Sequence, residues 1–98
     1  MDSALRETVR SRVEALQRLD SDAVGGLPAQ QREDIPSLGK VAVVQYHDVT
    51  DGGDHRVVVQ AARPRWFGIF TAIEVDGFVL EKDGTKRPLS EPEKWPYT

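Results

Sequence analysis

The sequence predicts an α+β domain: an N-terminal amphipathic helix, then a four- to five-stranded antiparallel meander, strongly bent or closed into a small, partly open barrel. Three observations predict it. Apolar residues recur at helical spacing over the first 24 residues. From Lys40 onward they recur with a period of two. Three Asp-Gly pairs, at 51–52, 76–77 and 83–84, then punctuate the alternating runs. At 98 residues the chain has room for one domain, read here as 1–98.

The helix spans 1–24. Leu5, Val9, Val13, Leu16 and Leu19 fall on one stripe. Asp2 or Ser3 is placed to cap its start by accepting from the first free backbone N–H groups. Glu7 with Arg10, and Glu14 with Arg18, sit at helical pairing distance on the wet side, worth roughly 0.2–0.5 kcal/mol each. Gly25-Gly26 ends the segment, since glycine accepts left-handed dihedrals.

Residues 25–39 read as a connector. Pro28 suits the first position of one helical turn reaching Arg32 or Glu33. Pro36 turns Ile35 away from helix.

The meander is expected over 40–89. The first strand alternates Val41, Val43 and Gln45 with Ala42, Val44 and Tyr46. Asp51-Gly52-Gly53 turns the chain into a second strand over 56–62. Arg63-Pro64 is expected to interrupt it, because proline lacks the ladder donor. A third strand runs from Trp66 to Val75, and Asp76-Gly77 then forms a two-residue hairpin into a fourth, Phe78 to Lys82. Asp83-Gly84 makes another tight turn into a short edge strand over 85–89, and the tail 90–98 holds one helical turn begun by Ser90 and Pro92.

The third strand carries most of the architectural inference. It is long, and Gly68 inside it permits a sharp bend. Both of its faces are apolar, with Trp66, Phe70 and Ala72 on one and Phe67, Ile69, Ile73 and Val75 on the other. A single helix cannot cover both faces of a flat sheet. The second face is therefore expected to meet its own sheet in a closed barrel or to meet another chain.

Composition narrows the functional classes. Charged residues make up 30% and hydrophobic residues 39%, a globular mix. There is no cysteine, so thiolate metal sites, disulfides and cysteine nucleophiles are excluded. No apolar run approaches the roughly 18 residues of a membrane span, and the start has no signal-peptide pattern, so a cytoplasmic location is expected. A net charge of −3 disfavours nucleic acid as the partner, because phosphate contacts supply most of such affinity.

Three clusters are chemically suggestive. In the first, His47 and His55 flank a turn carrying Asp48, Asp51 and Asp54. If the hairpin is symmetric, the imidazoles face each other, and His47, His55 and Asp51 form the minor candidate for a metal site. The competing reading is a solvated turn. In the second, Arg63-Pro64-Arg65-Trp66-Phe67 interleaves basic and aromatic residues. Arginine pairs phosphate and an exposed ring stacks on a base, so Arg56, Arg63 and Arg65 are the nucleic-acid candidates. The competing reading is a core aromatic overlaid by arginine stems. The third is the tail, whose Trp95 and Tyr97 either fold back onto the domain or dock on another chain. No nucleophile elbow, phosphate loop or dinucleotide fingerprint occurs, so no enzyme activity and no cofactor are expected.

The order of elements over residues 3–89 resembles the Sm-like branch of small SH3-like barrels, in which an N-terminal helix precedes five bent antiparallel strands. That resemblance implies an oligomer with an RNA surface. The turns at Asp51-Gly52, Asp76-Gly77 and Asp83-Gly84 carry hairpin chemistry only, so no residue role follows from it.

The function expected from the residues is a non-catalytic interaction module. It binds a protein partner or itself through apolar sheet surface, with Trp66, Phe70, Trp95 and Tyr97 as anchors and Arg63 and Arg65 at the rim. A small-barrel RNA or single-strand binder is the alternative.

Overall fold

Leu5, Val9, Val13 and Leu16 give α1 (Ser3–Gln17) a single buried stripe, and that stripe lies on one face of a five-stranded antiparallel sheet. The computed structural model describes residues 3–36, 41–65 and 70–98, and of residues 64, 65, 70 and 71 the backbone only. A helix of fifteen residues is marginal alone in water. Four buried apolar side chains, at roughly 1.5–3 kcal/mol each, hold it in place.

The helix is shorter than expected. It closes at Gln17, and Asp20 then caps a separate α2 (Ser21–Gly25) by accepting from the Ala23 N–H at 2.8 Å. Asp20 is a better cap than a helix-interior residue, which breaks the stripe after Leu16. Ser3 lies within the helix rather than capping it, and Asp2 lies outside the described residues. The Glu7–Arg10 pair forms at 2.5 Å; Glu14 and Arg18 make no such pair.

The connector contains no helical turn at Pro28. It supplies β1 (Gln30–Ile35), which pairs with β2 (Val41–Val49) from Gln30↔Tyr46 to Ile35↔Val41. Five of its six residues are polar or charged, so it has no apolar alternation to read. Only pairing to β2 makes it a strand, and its charges suit an edge. Arg12 of α1 tethers it through Glu33 at 2.6 Å.

β3 (His55–Arg65) runs straight through Arg63-Pro64. The Thr50 N–H bonds the Asp54 carbonyl at 2.8 Å, so even-numbered residues of β3 turn their backbone groups toward β2. Among the described residues that pairing ends at Ala42↔Ala62, so nothing at Pro64 requires the missing donor. The connection from β3 into β4 (Phe70–Leu80) lies at 66–69, outside the described residues, as does the bend expected at Gly68.

Asp76-Gly77 is not a hairpin. β4 is continuous from Phe70 to Leu80, and Gly77 sits inside it opposite Val58. A Cβ there would lie 2.1 Å from the Val57 carbonyl oxygen and 2.9 Å from Leu89 Cδ1. Glycine is present for close approach, not for a turn. The two expected strands therefore merge, and the fifth strand comes from the connector instead. The true turns use positive φ at Gly53 (84°) and Gly84 (91°), the latter leading into β5 (Lys86–Pro88).

The sheet order is β1-β2-β3-β4-β5, open, with β1 and β5 at opposite edges, so the chain is not closed into a barrel. The second apolar face is met by the C-terminal tail instead. There α3 (Glu91–Lys94) and a 3-10 turn (Trp95–Tyr97) carry the chain back under the sheet. Glu93 binds both the backbone N–H and the hydroxyl of Ser90 at 2.9 Å, and Pro92 stands in the first turn. Lys86 closes the other side by donating to the Leu19 carbonyl at 2.9 Å and to that of Gln17.

Candidate functional site

Strand register divides the sheet into two faces. Val41, Val43, Val57, Val59, Ala61, Phe78 and Leu80 face α1 and form the main core. The opposite face is built of cross-strand rows. One row is Gln30, Tyr46, Val58 and Gly77. The tail seals it: Leu89 packs on Val58 in the space left by Gly77, and Tyr97 meets Tyr46 with ring centres 4.9 Å apart. Gln60 donates to the Tyr97 carbonyl and fixes the end of the chain.

Two rows away from this seal stand Asp34, Ala42, Ala62 and Ile73, and the row between is Arg32, Val44, Gln60 and Val75. Ala42, Val44 and Ala62 are half-buried and Ile73 is 37% exposed. This end of the face is apolar and shallow, with no charged residue among its β2, β3 and β4 members. It continues to a sheet edge with no paired strand among the described residues, where β5 pairs with Phe78, Val79 and Leu80. The Glu81 N–H bonds the Thr85 carbonyl at 2.8 Å, so odd-numbered residues of β4 point their backbone groups to that side. The Gly77 N–H there is taken by the Asp76 carboxylate at 2.8 Å. Ile73 and Val75 present theirs outward, with no strand beyond them among the described residues. A groove of about 280 Å³ runs beside this edge, bordered by Arg6 and Arg10 of α1 and by Lys94 of the tail.

The structure distributes the sequence-predicted residues unevenly. Tyr97 is packed in cis on Tyr46, while Trp95 beside it is 68% exposed. Arg63 lies on the α1 face opposite Ala72. Arg65 and Phe70 face each other in the backbone register, and Trp66 lies outside the described residues. Arg56 is clasped by both oxygens of Asp48, which raises its pKa above the ordinary arginine value. Its guanidinium is thus engaged within the sheet rather than grouped with Arg63. Arg87 bonds Glu93 through two nitrogens, at 2.8 and 3.1 Å. That contact and the Ser90 N–H lower the Glu93 pKa to about 2.

His47 and His55 do meet, though diagonally: His47 pairs with Val57 and His55 with Val49. His47 Nδ1 lies 3.0 Å from the Leu27 carbonyl, and His47 Nε2 lies 2.9 Å from His55 Nδ1. A carbonyl only accepts, so His47 carries its proton on Nδ1 and accepts from His55 through Nε2. The relay pins the α2–β1 loop to the sheet. Asp51 stays in the exposed turn, and among the described residues no third His, Asp or Glu joins the imidazoles in a metal-binding group.

Ala42, Val44 and Ala62 were not singled out by the sequence, whose alternation placed them on a strand face without saying what covers it. Compared with protein-family models, curated proteins and solved structures, the chain matches none. Among the described residues, no helix is long and apolar enough to cross a membrane.

Proposed function

We propose that this chain is a non-catalytic interaction module that binds another protein chain at the uncovered end of its second sheet face. One observation carries the reading. The tail seals the row of Tyr46, Val58 and Gly77, whereas among the described residues nothing of the tail packs on the row of Ala42, Ala62 and Ile73, and no strand pairs with the β4 edge at its end. Apolar surface beside free backbone donors and acceptors favours an added strand or a docked chain. The polar clusters support the non-catalytic part. Arg56–Asp48, Arg87–Glu93 and the histidine relay are each engaged in holding segments together.

Site-specific photo-crosslinking in cells tests this. A photoreactive residue at Val44 or Ile73 is expected to give discrete protein adducts, and one at Glu14 on the wet face of α1 is not. Equal labelling from all three positions, or none from Val44 and Ile73, refutes the proposal.

A further inference from the structure

We infer that the partner at this edge is a second copy of the chain, joined by antiparallel pairing of the two β4 strands about Ile73; this rests on the interaction reading above. Thr71, Ile73 and Val75 are the described residues of β4 whose backbone groups face the open edge, so a hydrogen-bonded register must place such residues opposite one another. Two neighbouring registers fail on charge. Centring the pair on Glu74 sets Glu74 against its own copy, and centring it on Val75 sets Glu74 against Asp76. Centring it on Ile73 sets Ile73 against Ile73, and Glu74 against Ala72.

That register also brings opposite charges into line. Arg63 is the β3 neighbour of Ala72, and Arg65 is the β3 neighbour of Phe70. Across the seam, Glu74 of the second copy falls beside Ala72, and its Asp76 beside Phe70. Arg63 and Arg65 of β3 therefore each share a row with an acidic residue of the other chain. Between Arg63 and Glu74 stands only alanine, over which a long guanidinium stem can reach. Two-fold symmetry repeats the contact. On the other face, the row of Ala42, Ala62 and Ile73 runs on into Ile73, Ala62 and Ala42 of the second copy, so the apolar end becomes the middle of a ten-stranded sheet. The β1 edge, with Arg32, Glu33 and Asp34, offers no such apolar continuation.

Light scattering on a size-exclusion column tests it, with the full chain and circular dichroism as the check on folding. The expected mass is twice 10.9 kDa. Ile73→Lys, at an exposed position, is expected to give a folded monomer. Glu74→Arg and Arg63→Glu are each expected to weaken the dimer by about tenfold, from two symmetry-related contacts worth a few-fold each. The double variant is expected to restore it. A monomer at all concentrations, a dimer indifferent to Ile73→Lys, or a double variant no better than the singles overturns the inference. Crosslinks from Val44 and Ile73 to a different protein, with a monomeric mass, overturn the self-pairing while the interaction reading stands. Absence of both removes both.

Discussion

Gly77→Ala tests the close-approach role of that glycine directly. The added Cβ would sit 2.1 Å from the Val57 carbonyl oxygen, 2.9 Å from Leu89 Cδ1 and 3.0 Å from Val58 Cα. Two of these three neighbours are backbone in the central strand, so they cannot swing aside. Relief requires β4 to move off β3 and Leu89 to lift from the sheet. Overpacking of this kind costs about 1–3 kcal/mol, and exposing Leu89 adds about 1.5–3 kcal/mol. The sum, about 2.5–6 kcal/mol, is a large part of the roughly 5–15 kcal/mol expected for a domain this size. Urea unfolding followed by circular dichroism measures it. Gly77→Asn separates the two roles of glycine: a positive-φ turn tolerates asparagine, whereas a close approach does not. Gly84→Ala is the comparison, with φ of 91° and open space around it, and is expected to cost only about 1–2 kcal/mol. A Gly77→Ala protein within about 0.5 kcal/mol of the parent refutes the packing argument.

The other predictions concern the tail, its ion pair and the histidines. Replacing Tyr46 and Tyr97 by leucine, singly and together, is expected to show a coupling of about 0.5–1.5 kcal/mol in a double-mutant cycle, and additive effects would mean the rings do not interact. Because the Glu93 pKa is depressed to about 2, its contribution is full above its ordinary 4.5 and is lost as pH falls from there toward about 2. With Arg87 41% exposed, screening reduces the loss to about 1–2 kcal/mol. Glu93→Gln should flatten that part of the stability–pH curve, and an unchanged slope would contradict the assignment. His47→Phe leaves the Leu27 carbonyl without its donor and is expected to cost about 1–3 kcal/mol in thermal melts, while added zinc should leave the melting temperature of the parent unchanged. A zinc-induced rise would restore the metal reading of His47 and His55.

How much of this was legible in the sequence follows from the range of each signal. The stripe of Leu5, Val9, Val13 and Leu16 named the buried face of α1, because helical period and burial are one fact read twice. The turns at Asp51-Gly52-Gly53 and Asp83-Gly84 were local chemistry, and both hold. The helical turn expected from Ser90 and Pro92 likewise forms, as α3, with Ser90 at its N-cap. At Asp76-Gly77 the same local chemistry misled, since a glycine admits a tight turn and a close strand contact equally well. Only the tertiary structure chose between them, through Leu89 arriving from twelve residues farther along the chain. β1 was invisible for the complementary reason. An edge strand of polar residues has no burial pattern of its own and exists only because β2 offers it hydrogen bonds. The sequence by itself determined that the third strand had two apolar faces and that one helix could not cover both. It could not determine what covered the second, because a barrel, a partner and a folded-back tail all satisfy the same alternation. The tertiary structure decided for the tail over one half of that face, where Tyr97 and Leu89 fit against Tyr46, Val58 and Gly77. Among the described residues the other half keeps its apolar row and an edge with no paired strand, since the short tail and the three residues of β5 do not extend that far.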